Sequence, residues 1–467
     1  MITVDHESST PLVAQIHASL VAMIDSGRLR QGTRLPSIRE MARICKVSLL
    51  TVTNAYNRLV AEGLLEARRA SGFFVPTRSG RKASARGLAI TDASVDSGWL
   101  LHRVFQENST LLPVGCGWLP GEALFADGIK HALGSIARKA GAAFSSYGNP
   151  HGYLPLRKQI VALLGGHGID ADEHQVILTH GASQALDLVA RSLLAAGDTV
   201  LVDDPGYGNM FPALQDLGLQ LVGVPRTQEG PDVDALETLI TRHRPKAFIT
   251  TTTLQNPTGT TATPAVSYRI LRLAEQHDFY VIEDEIFADL LVKPAQAMAS
   301  LDQLRRVIYI SSFSKTISPS LRVGFLACPV ELAERIVRLK MASSLTTSET
   351  MEQVVHAILV EGHHRGHLTR LRERLAAAQD NVCDRLEATG LRLFHRPAGG
   401  MFVWAGFERP LDPKVIAQKA TREGIILAPG YLLRPDLAPT PWFRFNVAYA
   451  HHDSLYRFLD RVAREVK

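Results

Sequence analysis

A chain of 467 residues exceeds what one ordinary core holds, and its 46% hydrophobic and 21% charged fractions exclude a disordered or collagen-like chain. The four cysteines lie far apart in neither a zinc nor a disulfide pattern, and no apolar run reaches the ~18 residues that span a bilayer; with no signal-peptide plan at the start, reduced cysteines, a cytoplasmic location and no membrane partner are expected. The net charge of +5 is carried by residues 1–97, with 13 Lys or Arg against 8 Asp or Glu, so the front of the chain is suited to a polyanion and the remainder is neutral.

In residues 1–76 the apolar positions Leu12, Ile16, Leu20, Met23 and Ile24 recur at helical spacing, with Thr10 as a candidate cap, Pro11 in the first turn and Gly27 as terminator. Ser37 and Glu40 have capping-box spacing for a short helix from about Ile38 to Cys45. After a tight turn at Lys46-Val47, Ser48 is placed to cap a helix from about Leu49 to Glu62, with Val52, Tyr56, Leu59 and Val60 facing inward. Leu64 to Arg68 and Phe73 to Val75 then read as two short strands of a wing.

The runs Leu-Pro-Ser-Ile-Arg-Glu (35–40), Val-Ser-Leu-Leu-Thr-Val-Thr-Asn-Ala-Tyr (47–56) and Glu-Gly-Leu-Leu-Glu (62–66) resemble the GntR-type winged helix-turn-helix. That resemblance implies a double-stranded DNA operator as partner, with the helix holding Ser48 to Tyr56 in the major groove. It places Arg39, Ser48, Leu49, Thr51 and Thr53 against DNA, and Arg69 on the wing. Leu49 stands where many relatives carry arginine, so an apolar contact to a thymine methyl is expected instead of a charge-assisted one. The bland alternative is a protein-interaction module, against which the charge distribution weighs.

Residues 77–98 are polar, basic and without periodicity, and read as a linker. From about residue 150 onward helices alternate with short apolar runs at Gln175–Thr179, Thr199–Val202, Gln220–Val224, Ala247–Thr251, Tyr280–Ile282 and Val307–Ser311, an α/β pattern with a largely parallel sheet in the unit 99–467. Ligand groups gather at strand ends in such sheets. There lie Gln255-Asn256-Pro257-Thr258-Gly259, Glu283-Asp284-Glu285 and Ser312-Phe313-Ser314-Lys315, followed by Arg322-Val323-Gly324.

This order of motifs resembles the class I/II aminotransferases of fold type I, with a small C-terminal subdomain, and the resemblance implies pyridoxal 5′-phosphate (PLP) as cofactor. Lys315 is then the Schiff-base amine and Asp284 the carboxylate that keeps the pyridine nitrogen protonated. Asn256 would donate to O3′ and Tyr207 would stack on the ring. Ala182 and Ser183, opening a helix, would bind the phosphate with Ser312 and Arg322. Tyr147 would reach the phosphate of a neighbouring subunit, implying a homodimer, and Arg444 would pair with an amino acid's carboxylate.

Relatives usually place a tyrosine shortly after the aspartate, whereas Phe287 stands here; a donor to O3′ is missing, and weak transamination is expected. His363, His364 and His367 contain an i, i+4 pair but no carboxylate pattern, so they are read as part of a surface helix and not as a metal site. The fusion of the two units resembles the MocR subfamily of GntR-type regulators, which implies a transcription regulator sensing PLP or an amino acid through an aldimine at Lys315, with enzyme activity at most residual. The alternatives are an aminotransferase acting on an amino acid and a 2-oxo acid, and a ligand-binding module without a DNA role.

Overall fold

In a computed structural model of the chain, the described residues are 4–5, 8, 10–68, 71–76, 111–139, 147–408 and 411–465. The wing residue Arg69 and the linker 77–98 lie outside them. The chain divides into two compact units, Met1–Asp92 and Ala93–Lys467.

The first unit contains α1 (Leu12–Asp25), α2 (Ile38–Cys45), α3 (Leu49–Ala61), β1 (Glu66–Arg68) and β2 (Gly72–Phe74). Ile16, Leu20, Met41, Val52, Tyr56 and Leu59 form its buried core. Caps set the helix boundaries. Ser37 accepts from Glu40 N at 3.2 Å and Ser48 from Thr51 N at 3.0 Å, each satisfying an amide that the first helical turn leaves without a partner. Between α2 and α3, Lys46 takes a left-handed φ of 52°, which turns the chain sharply. The first helix departs from expectation: Pro11, not Thr10, occupies the N-cap position and supplies no side-chain hydrogen bond. Its carbonyl instead accepts from Ala14 and Gln15. β1 and β2 pair antiparallel, Glu66 opposite Phe74.

The second unit is built on an eight-stranded sheet of β3 (Val176–Thr179), β4 (Thr199–Asp204), β5 (Gln220–Thr227), β6 (Gly230–Pro231), β7 (Ala247–Thr250), β8 (Tyr280–Asp284), β9 (Val307–Ser312) and β10 (Gly324–Ala327). Their order is β3-β10-β9-β8-β7-β4-β5-β6. Strands β5, β4, β7, β8 and β9 run parallel. β10 is antiparallel to both β9 and β3, so β3 keeps the common direction. This antiparallel insertion has no sequence signal, because four apolar residues after the Arg322 motif do not declare a strand direction. Apolar cores lie on the two faces: Phe248, Val281 and Phe325 belong to one, Val202, Ile282 and Ile310 to the other.

A four-stranded sheet of β11 (Arg392–Leu393), β12 (Phe402–Gly406), β13 (Ala428–Pro429) and β14 (Trp442–Asn446) forms the small C-terminal part, in the order β11-β12-β14-β13. The long helix His363–Ala388 packs on it through Leu371, Leu375, Val382 and Leu386. His363 is exposed, as expected of a surface helix, but that expectation is corrected for the other two histidines. His364 is buried and His367 half-buried, both rings packing beside Phe125, because this helix end turns its face inward. Among the described residues no helix is long and apolar enough to cross a membrane. The four cysteines are free and buried.

Candidate active site

At the carboxyl ends of the parallel strands lies a cavity of about 400 Å³ lined by Ala182, Ser183, Tyr207, Asn256, Ser312, Lys315, Arg322 and Arg444. Eight residues singled out by sequence motifs therefore converge. Asp284 is buried at the end of β8, close enough to Lys315 for each charge to shift the other. Tyr147 is 82% exposed and does not line the cavity of its own chain.

One end of the cavity is an anion cradle. Helix α4 (Ala182–Leu193) begins there, and no side chain caps it, which leaves its first amides for a ligand. The preceding Gly181 has φ +82°, and a Cβ on it would stand 2.8 Å from the Arg322 guanidinium. Arg322 is drawn to this turn by donating to the His180 carbonyl at 2.6 Å. Ser312 donates to Ser314 Oγ at 2.7 Å, fixing its hydroxyl at the same rim.

In the middle, Lys315 Nζ donates to the Gly117 carbonyl at 2.6 Å. Burial lowers its ammonium to about 8, so a useful fraction is neutral and nucleophilic near physiological pH. Burial also raises the Asp284 carboxyl to about 7; a cationic N–H placed beside it would restore the charged form. Strand alternation explains why this acid faces Lys315 while its neighbours do not. Glu283 accepts from Met298 N and Ala299 N, and Glu285 from Thr252 N and Thr253 N. Phe287 lines the cavity with its ring centroid 5.9 Å from Lys315 Nζ and lies edge-on to Phe402. It presents no hydroxyl there.

At the other end Arg444, on β14, is buried with its pKa lowered by desolvation to about 10. It donates to Asn256 Oδ1 at 2.8 Å and to the Gly115 carbonyl at 2.7 Å. Among the described residues it makes no ion pair. A buried cation held by neutral acceptors favours an incoming anion.

Several lining groups carry no motif of their own: the segment Cys116–Trp118, Ile286, and Ala428, Leu432 and Leu433. Asn446 fixes the first of these, donating to the Cys116 carbonyl at 3.1 Å and the Trp118 carbonyl at 2.7 Å. It lies in the motif that points to Arg444, which is the one signal available for it. Lys340 has none. It is buried and donates to the carbonyls of Pro150 and Leu178, both at 2.7 Å, tying the segment after Tyr147 to β3.

The cavity is thus shaped for a ligand anionic at one end, able to react with an amine, and accompanied by a carboxylate. Residues 120–462 match the family Aminotransferase class I and II, and residues 12–75 match the bacterial regulatory proteins of the gntR family. The large unit is a fold type I, class I/II aminotransferase domain. The chain is 30% identical to the probable rhizopine catabolism regulatory protein MocR of Rhizobium meliloti, covering 92% of this chain and 88% of that one. It is 27% identical to the uncharacterized HTH-type transcriptional regulator YdfD of Bacillus subtilis, covering 98% of this chain and 96% of that one. It therefore belongs to the MocR subfamily of GntR-type regulators. Among solved structures, alpha-aminoadipate aminotransferase LysN of Thermus thermophilus, complexed with N-(5′-phosphopyridoxyl)-L-leucine, is similar at 28% identity and a TM-score of 0.70, covering 79% of this chain and 97% of that one.

Proposed function

We propose that the chain is a PLP-dependent transcription regulator: the head of residues 1–76 binds an operator, the linker 77–98 joins it to residues 99–467, and the latter hold PLP at Lys315. An amino acid is the signal, its carboxylate pairing with Arg444. The operator reading rests on the gntR-family match of residues 12–75, and the observation that carries the amino-acid signal is that Arg444, a buried cation without an ion pair among the described residues, shares one cavity with a buried amine lowered to about 8.

The residues fit PLP. Ala182 and Ser183 with Arg322 would hold its phosphate, Asp284 its ring nitrogen, Asn256 its phenolic oxygen and Tyr207 its ring face. The Asn256 orientation supports this, since its Oδ1 is taken by Arg444 and its amide nitrogen is left to donate. When bound, PLP supplies an aldehyde for amine exchange and an electron-withdrawing ring. Tyr147, exposed and held by a braced segment, would serve the cavity of a second copy in a homodimer. A ligand alters DNA binding only by preferring one conformation of the regulator, so the amino acid must bind the DNA-competent and incompetent forms unequally.

The complete set Lys315, Asp284 and Arg444 also suits an aminotransferase acting on an amino acid and a 2-oxo acid, which is the second reading; Phe287 weighs against it. Screening the PLP-loaded chain against amino acids by visible absorbance, with footprinting on its own upstream DNA, separates them. A ligand that changes both the spectrum and the footprint supports the regulator. Steady turnover with an oxo-acid acceptor, unchanged by deletion of residues 1–97, supports the enzyme.

A further inference from the structure

The exposed face of α3 is apolar where it begins. Val52, Ala55, Tyr56 and Leu59 are buried, whereas Leu49 is 51% and Leu50 68% exposed. Ile44, across the Lys46–Val47 turn, is also exposed. The hydroxyls nearby are already engaged. Ser48 and Thr51 bond to each other at 2.7 Å, and Thr53 donates to the Leu49 carbonyl at 2.8 Å. The exposed hydrogen-bonding side chain one turn beyond Leu50 is Asn54. Arg39, Arg43 and Lys46 are exposed on α2 and on the turn that leads into α3, and with exposed Glu40 between the arginines this stretch keeps a net positive charge beside the apolar start of α3.

We propose that this face reads A·T pairs in the major groove, with Leu49 and Leu50 against thymine C5-methyl groups and Asn54 bidentate to adenine. The inference rests on the reading of the head as a DNA-binding unit. In the major groove thymine alone presents a methyl, and the adenine edge offers the acceptor-donor pair that a carboxamide matches. The bordering cations meet phosphates and position the helix without reading sequence. Leu50 and Asn54 thereby join Leu49 as specificity-determining residues.

The test uses the full chain and a duplex library with a random core, prepared in parallel with thymidine and with deoxyuridine, which lacks only the methyl. Sites enriched from the thymidine library are expected to carry A·T pairs at the contacted positions. Replacing those thymines singly by deoxyuridine should weaken binding about fourfold per contacted methyl. Leu50→Ala should bind the two duplexes equally at one such position, and Asn54→Ala should lose about tenfold in its preference for adenine. Equal affinity of the wild-type chain for thymidine and deoxyuridine sites overturns the inference while leaving DNA binding intact. So does a Leu50→Ala chain that alters its oligomeric state and not its DNA affinity, which assigns the patch to a protein partner. Failure to enrich any duplex overturns the DNA-binding reading together with the inference.

Discussion

Arg444 Nη1 donates to Asn256 Oδ1 at 2.8 Å, joining a residue of the small C-terminal sheet to one that follows a strand of the large sheet. Both line one cavity, so the group suited to a ligand carboxylate also sets the orientation of the group suited to a cofactor oxygen.

Arg444→Lys keeps a positive charge but loses the planar fork. Amino-acid affinity, read by absorbance titration of the loaded chain, should fall about ten- to hundredfold, while PLP remains bound. Unchanged amino-acid affinity would place the carboxylate elsewhere.

Phe287→Tyr restores a phenolic donor beside Lys315, whose amine lies 5.9 Å from the present ring centroid. A hydrogen bond to an anionic oxygen favours the deprotonated form, so the visible absorbance of the loaded variant should titrate at lower pH than that of the wild type. Half-transamination should also quicken. A wild-type chain already fast and complete in that half-reaction would contradict the role given to Phe287.

PLP capture requires a neutral amine, and burial holds Lys315 at about 8 instead of its ordinary 10.5. The rate constant for PLP binding should therefore rise with pH and level off above a midpoint near 8; a midpoint near 10.5 would refute the burial. In the PLP-free chain the unfolded state retains, between these two values, a proton that the folded state has released. The contribution of Lys315 to stability accordingly increases with pH across that window, and Lys315→Met should flatten the dependence.

Gly181→Ala places a Cβ 2.8 Å from the Arg322 guanidinium at a φ of +82°. The variant should lose about 1 kcal/mol or more of stability in denaturant melts. It should also hold PLP about tenfold more weakly in equilibrium dialysis, because the guanidinium must leave the cradle; unaltered retention would move the phosphate away from α4.

Features governed by neighbouring residues are legible in the amino-acid sequence. Ser37 and Ser48 cap as expected because capping joins groups two or three residues apart. Lys315, Asp284 and Asn256 are recognisable because Asp284 ends a strand and the other two follow one within a few residues, and parallel strands bring their ends together. The rest depends on long-range packing. Asn446 holds Trp118 across 328 positions, Lys340 reaches Pro150 across 190, and neither pairing leaves a local pattern. β10 runs antiparallel to both of its neighbours, a matter of sheet assembly and not of its own four residues. Local chemistry thus declares the types of group the site contains. Tertiary packing decides that Arg444 is buried without an ion pair among the described residues, that Lys315 is desolvated, and that two leucines of α3 remain exposed. Burial and charge environment are properties of neighbours distant in the chain, and they determine what those groups do.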